Sequence, residues 1–460
     1  MSINFSAFEI GRRALNANQL GIEVTGQNIA NVNTPGYTRR RVELVESAYQ
    51  GIHGFTLGTG VSIAGVHSFR DIFIQSRIQT ETGIAGRLTA ERDALAPVET
   101  ALQGSESGGL QSSINAFFGA FRDLEANPNS VPLRSLVGQR GAALANAFHS
   151  TAQRLDDIRS TTDSQLRATV DEVNGLSERI AGLNENIRSA EAAGAEASNL
   201  RDQRDVAVNQ LAELTGARST TNNDGTLTLT LSDGRPLVLS GTASKLEVND
   251  TPPNGLADIT LDGEPAVFND GAIAGLQNAI TEVTKQLDDL DSLAAAVVSR
   301  VNTLHTSGTD LDGNPGVNFF NDTPAVTAAN ISINAAITGN PRLIVASPVT
   351  QPGQTGTIAG QIANLLTDQN TTAGTRTGSI SSIFGSMISD AGERVATADN
   401  NLQTQAAILS QATAQRDAVS GVSLDEEAIN LLQYQKAFEA ASRFIKIADE
   451  MTQMILSLAQ

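Results

Sequence analysis

The residue types that carry most protein chemistry are few in this chain and badly spaced for it. There are four histidines, His53, His67, His149 and His305, and none stands at a metal-ligand spacing from another. Cysteine is absent, which removes thiolate metal sites, disulfides and a thiol nucleophile together. No HExxH helix, nucleophile elbow or P-loop occurs. Gly58-Thr59-Gly60 lacks the later glycine of a dinucleotide fingerprint, and no clear βαβ context follows it. Asp310-Leu311-Asp312-Gly313-Asn314 has the oxygens of a calcium loop, but its glycine falls too early and no glutamate closes it, so it reads as a polar turn. The 50 acidic residues allow many acid–base pairings and single out none. The expectation is therefore no catalytic residue, no metal and no cofactor.

Composition narrows the classes further. With 31 basic against 50 acidic residues the formal charge is −19, which repels a phosphate backbone and argues against nucleic-acid binding. The one basic run, Arg39-Arg40-Arg41, sits beside Glu43 and Glu46 and reads as a solvated strand or loop. Aromatic residues make up 4% of the chain and tryptophan is absent, which counts against base-stacking surfaces and aromatic-lined pockets. No stretch reaches the roughly 20 apolar residues of a membrane span, so no membrane insertion is expected. Met1 to Leu20 has no cationic segment followed by an apolar block, so no cleavable secretory signal is apparent. A chain of 460 residues, 40% apolar, has material for several domains.

The elements tell more than the reactive groups. Phe8, Leu15, Ile22 and Ile29 recur every seven residues, and Ile3, Ile10, Ala17 and Val24 form a second row. Apolar rows on two sides predict a helix wrapped by partners. The helix ends before Thr34-Pro35, because proline pushes its predecessor out of the α region. Pro35-Gly36 then suits the centre of a type II turn. Extended or irregular chain follows through Gly65, and a second helix is expected from near Phe69.

From Gln153 to Leu214 two heptad rows predict a long rod-like helix, one row running through Leu166, Val173, Ile180 and Ile187. At Gly216 the period drops to two. Thr226 to Leu231 alternates strictly and Asp233-Gly234 supplies a hairpin turn. Helix returns from Ala272 to Leu304, and again from Ile358 after a mixed segment. The last helix repeats Leu424, Leu431, Phe438, Ile445 and Thr452, and beside them Tyr434, Ala441, Ala448 and Ile455. Ser423 with Glu426 predicts a capping box at its start. The fold class expected is mainly α with a β-rich insertion: residues 1–65 and 418–460 as an inner domain of paired terminal helices, a coiled coil with its linker; 66–215 and 271–417 as a rod-like helical bundle that includes a mixed segment at 307–356; and 216–270 as a small β-rich domain facing outward.

Asn28-Ile29-Ala30-Asn31-Val32-Asn33-Thr34-Pro35-Gly36-Tyr37 after a heptad helix resembles the N-terminal motif of the flagellar rod and hook axial proteins, and its Thr-Pro-Gly-Tyr-Thr-Arg ending is similar to that of their hook-associated members. Val301-Asn302 through His305, Gly308, Asp310-Leu311, Gly313 and Phe319-Phe320 resembles a central motif of those members. Gly421 to Glu427, with Asn430-Leu431, Tyr434-Gln435, Ala437-Phe438 and Ala440-Ala441, resembles their C-terminal helix. The resemblance implies a non-enzymatic, extracellular subunit of the hook–filament junction, exported by the flagellar type III apparatus. It also implies self-assembly into a ring or helical layer, hook protein below, a second junction protein above, and a cytoplasmic export chaperone on the C-terminal region.

On this reading the residues expected to build the assembly are Phe8, Leu15, Ile22, Asn28, Ile29, Asn31, Asn33, Thr34, Pro35, Gly36 and Tyr37 at one end. At the other they are Leu424, Leu431, Tyr434, Phe438, Ala441, Ile445, Ala448 and Ile455, with Leu431, Phe438 and Ile445 as the chaperone's anchors. The asparagine amides and Tyr37 are expected to act both in the turn and between subunits. Another axial subunit is the nearest alternative, a secreted coiled-coil adhesin using residues 216–270 the next, and a peptidoglycan hydrolase the last.

Overall fold

The computed structural model describes residues 2–47, 49–52, 55–104, 109–194, 196–251 and 256–458; His53 and the side chain of Ile3 fall outside what is described. Helix α1 (Ser2–Ala30) leads through a turn into strands β1 (Arg40–Glu46), β2 (Tyr49–Ile52), β3 (Phe55–Gly58) and β4 (Val61–Ser68). β1 pairs antiparallel with β4, and β2 with β3. The second helix, α2 (Ile72–Gln103), starts later than Phe69 because Asp71 caps it, accepting from Phe73 N at 2.9 Å and Ile74 N at 3.1 Å. Helix α3 (Leu110–Ala126) follows.

The long helix expected from Gln153 to Leu214 begins earlier and is broken. Helix α4 (Val131–Ala192) starts at the Ser130 cap, and α5 (Ser198–Thr215) folds back along it. Gly194 takes φ +84° between them, and Arg201 closes the bend with two 2.7 Å bonds to the Glu191 carboxylate. Heptad spacing could not reveal that break, because the apolar seam resumes after it.

The alternating segment folds into β5 (Arg218–Thr221), β6 (Leu227–Thr230), β7 (Pro236–Leu239) and β8 (Thr242–Ala243), paired in that order. β9 (Leu246–Thr251), β10 (Leu256–Leu261) and β11 (Glu264–Pro265) make a second sheet in the order β11-β10-β9. Leu227 and Leu229 point inward, and Thr228 and Thr230 on the other face are half-buried. Two asparagines of α4 fasten these sheets to the rod. Asn184 donates to Leu227 O and Ser240 O and accepts from Leu227 N, while Asn174 exchanges a pair of bonds with Leu246. Asn174 thus acts as a short stretch of partner strand along the open edge of β9, and Asn184 bridges the end of β6 to the chain after β7.

After α6 (Gly271–Thr306) come β12 (Gly308–Thr309), the short α7 (Ala335–Gly339), a 3-10 turn at Pro341–Leu343, β13 (Ser347–Pro348) and α8 (Thr357–Asn364). A hairpin of β14 (Thr371–Ala373) and β15 (Arg376–Gly378) leads to α9 (Ile380–Ser420) and α10 (Leu424–Leu458). Helix α2 packs on α6 and α9, α4 on α3, α5 and α6, and α1 on α10. The Asp310 carboxylate is spent on its own loop, accepting from Asp312 N, Asn314 N and Asn314 Nδ2 at 2.8–3.1 Å.

One continuous cluster of buried apolar side chains extends from Ala90 to Ala391 and takes in both sheets of the insertion. Its densest part joins the Phe117, Phe118 and Phe121 rings of α3 to Phe319 and Phe320, with ring centroids 4.8–5.8 Å apart. Among the described residues this cluster contains none from α1 or α10. The terminal pair is therefore joined to the body by something other than a shared apolar core.

Candidate functional site

The terminal helices run antiparallel, since Gly11 faces Ile445, Gly21 faces Tyr434 and Asn28 bonds Glu427. Two glycines let them approach closely. A Cβ at Gly21 would lie 2.6 Å from two carbons of the Tyr434 ring, and one at Gly11 would lie 2.4 Å from Ile445 Cγ1. Gly21→Ala is therefore expected to loosen the pair by about 1–3 kcal/mol through overpacking. Hydrogen exchange in α1 should report the loss, and Tyr434→Leu in the same chain should restore part of it.

The inner side of α10 carries Ala441 and Ala448, buried, with Leu431, Tyr434, Phe438 and Ile445 half-buried. On α1, Ala17 and Val24 are buried, and Phe8, Leu15, Ile22 and Ile29 are half-buried. Leu424 and Ile455 are both 52% exposed, outside the seam that their spacing suggested. They accompany an outward row of Ile429, Leu432, Phe444, Ile447, Met451 and Met454, all exposed. Helix α10 thus has two apolar sides in one copy, one closed by α1 and one open to solvent.

The pair is tied to the body at the turn. Tyr37 N donates to Thr34 O at 3.1 Å and Gly36 has φ +77°, as a turn centred on Pro35-Gly36 requires. Gly36 is doubly constrained, because a Cβ there would come within 2.3 Å of Val206 on α5. Asn33, Thr34 and Pro35 are exposed at its tip, and the Asn31 amide turns back to Gln27 O at 2.9 Å.

Asn28 is the knot. Its Oδ1 accepts from the Tyr37 hydroxyl at 2.9 Å and from Arg40 N at 3.1 Å. Its Nδ2 donates to Arg40 O at 2.9 Å and to Glu427 Oε2 at 3.0 Å. One buried amide therefore joins α1, the turn, β1 and α10 with every bond it can make. Burial pushes the Tyr37 phenol up from its ordinary range, so it remains a donor.

Arg39 and Arg40 extend this knot in opposite directions, which corrects the solvated reading of the basic run. Arg39 reaches Glu427 Oε1 at 2.8 Å and Glu426 Oε2 at 2.7 Å; the Glu426 carboxylate, expected to turn back on Ser423, meets this arginine. Arg40 is buried, lies 4.9 Å from the centre of the Tyr37 ring, and donates to Asn199 Oδ1 at 2.6 Å and Asp202 Oδ2 at 2.8 Å on α5. Arg70 also pairs with Asp202 and with Asp205. Only Arg41 of the run is exposed.

Composition and heptads did not point to Arg39, Arg40, Arg70, Asp202 or Glu427. The one available signal was strand alternation, which puts Arg40 on the same face as the apolar Val42. The arrangement holds helices and offers no nucleophile, no acid–base pair in a cleft and, among the described residues, no metal cluster.

Three family models match the chain: a flagella basal body rod protein at residues 8–38, the flagellar hook-associated protein FlgK helical domain at 95–320, and the flagellar basal body rod FlgEFG protein C-terminal at 415–458. The chain is 28% identical over 505 residues to flagellar hook-associated protein 1 of Bacillus subtilis (strain 168), covering 99% of both. It is 24% identical over 547 residues to the protein of that name from Salmonella typhimurium, covering 96% of this chain and 98% of the relative. The structure of the flagellar hook junction protein FlgK from Burkholderia pseudomallei shares the fold, with a TM-score of 0.65 at 16% identity over 75% of this chain and 100% of that one.

Proposed function

Since the chain belongs to the flagellar hook-associated protein family, we propose that it forms the hook–filament junction through the two-sided terminal helix pair. It is a structural protein of the flagellum, not an enzyme, and it assembles with other axial proteins. Hook protein lies below it and a second junction protein above. The outward row of α10 is the observation that carries this reading. An inner row covered by α1 would complete a single copy, whereas Ile447 and Met451, each 55% exposed, await a neighbour. Burying each large apolar side chain of that row contributes about 1.5–3 kcal/mol. Assembly is then cooperative, because each copy covers what the last one left open.

Within that assembly Phe8, Leu15, Ile22 and Ile29 complete the seam from the α1 side, and the exposed Asn33, Thr34 and Pro35 meet a neighbouring copy. Asn28 and Tyr37 hold the turn in the shape that presents them. Before export, a cytoplasmic chaperone covers Leu431, Phe438 and Ile445, which face α1 in the folded chain and are free only while α10 is undocked. The chain leaves through the flagellar export channel.

Deletion of the gene in its own bacterium tests the reading. Hooks without filaments, with flagellin in the medium, are expected by electron microscopy and immunoblot. Restoring the wild-type gene should rebuild filaments, and restoring Ile447→Asp should not, although that variant still folds. Complete filaments on the deletion strain would overturn the junction role. Missing hooks would move the protein to the rod or the hook itself.

A further inference from the structure

His67 lies on β4 between two carboxylates that belong to different parts of the chain. Its Nε2 is 2.9 Å from Glu43 Oε2 across the β1–β4 hairpin, and its Nδ1 is 2.6 Å from Glu196 Oε2 in the bend between α4 and α5. The second oxygen of Glu196 is already occupied, accepting from Ser68 N at 3.2 Å and from the Ser68 and Ser198 hydroxyls at 3.0 Å. The ring is folded back over Gly65, where a Cβ would come within 3.0 Å of Nε2.

Carboxylates only accept, and a neutral imidazole has one N–H to give. Both contacts therefore exist together only on a doubly protonated ring. We infer that His67 is a proton-dependent clasp fixing the β1–β4 hairpin, and with it the terminal helix pair, to the helical body. Deprotonation leaves one N–H for two acceptors, and one arm of the clasp opens.

The other polar groups around the ring do not replace that proton. Arg41 stands opposite His67 in the ladder and is exposed, so it opposes the charge weakly through water. From α10, Tyr434 lines the same cleft. Arg70, just before α2, is engaged with Asp202 and Asp205. Histidine is the side chain whose charge can change between pH 5 and 8, and here both of its nitrogens face carboxylates. The clasp therefore makes the seating of the terminal pair stiffer in acid than in alkali, by a route independent of any neighbouring copy.

The absence of cysteine permits a clean measurement on the isolated full-length chain. Spin labels on Ser62→Cys in the hairpin and Glu178→Cys on α4 are both at exposed positions, and pulsed electron resonance gives the distance distribution between them. A narrow distribution at pH 5.5 that broadens at pH 8.5 is expected. With His67→Gln or Glu196→Gln added, the distribution should be broad at both pH values, with the far-UV dichroism of the chain unchanged. The same distribution at both pH values in the parent, or a pH response that survives His67→Gln, would overturn the clasp. Neither result depends on whether the protein sits at the hook–filament junction.

Discussion

Asn28→Ala is expected to weaken the seating of the terminal helix pair by about 3 kcal/mol while leaving the body's cooperative unfolding nearly unchanged. The amide makes four bonds and is 1% exposed. Its loss leaves the Arg40 N–H and carbonyl and the Tyr37 hydroxyl without partners. Each buried group left unsatisfied costs about 1–3 kcal/mol, and water entering the vacated space recovers part of that. Glu427 keeps Arg39 and so is not left as a lone buried charge. Because α1 and α10 lie outside the continuous apolar cluster, the loss is local. Hydrogen exchange should quicken about 100-fold in both terminal helices and hardly at all in α4 or α6. Asn28→Asp should be worse than alanine, since it sets a second carboxylate against Glu427. Equal protection in wild type and Asn28→Ala would mean that the knot is not what seats the pair.

The second large effect is set by pH. His305 is fully buried, its Nδ1 donating to Val317 O at 2.5 Å and its Nε2 accepting from Val345 N at 2.9 Å. With Asn302, which bonds Phe319 N, Phe320 N and Phe320 O, it fastens the loop after α6 over the phenylalanine cluster. Burial lowers its pKa from 6.5 to about 4, and nearby Arg134 adds to that. The folded state thus disfavours the imidazolium that the unfolded chain accepts. The stability held in the neutral ring is complete above pH 6.5 and is lost as pH falls toward 4, to a total of about 3 kcal/mol. The wild type should lose that much more than His305→Gln between pH 7 and pH 4, read from urea midpoints. Glutamine can donate and accept there but does not titrate. Parallel stability–pH curves for the two proteins would remove the assignment.

Regular features were legible without coordinates because they are periodic. The seven-residue rows of α1 and α10 follow from helix geometry, and the Thr226–Leu231 alternation followed by Asp-Gly follows from strand and turn geometry. Both arise within ten or so residues of chain. The Asn28–Tyr37 string was legible as a motif, and its turn as local physics.

What stayed hidden lies between distant parts of the chain. Arg39, Arg40 and Arg41 look alike in sequence, yet one pairs with α10, one is buried against α5 and one is solvated. The difference comes from partners at residues 427 and 202. Asn174 and Asn184 occupy polar positions of a rod helix and fasten the sheets to it, a role decided by where the insertion folds back. Both heptad rows read on α10 fall on the side that α1 closes, apart from Leu424 and Ile455, and the outward row of Ile429, Leu432, Phe444, Ile447, Met451 and Met454 lay outside them. Short-range order is written in backbone geometry and the spacing of apolar residues, so the sequence by itself determined the heptad rows of α1 and α10 and the Asp233-Gly234 hairpin. Desolvation and charge pairing depend on which surfaces meet, so only the tertiary structure decided that polar side chains, not apolar ones, seat the terminal pair on the body.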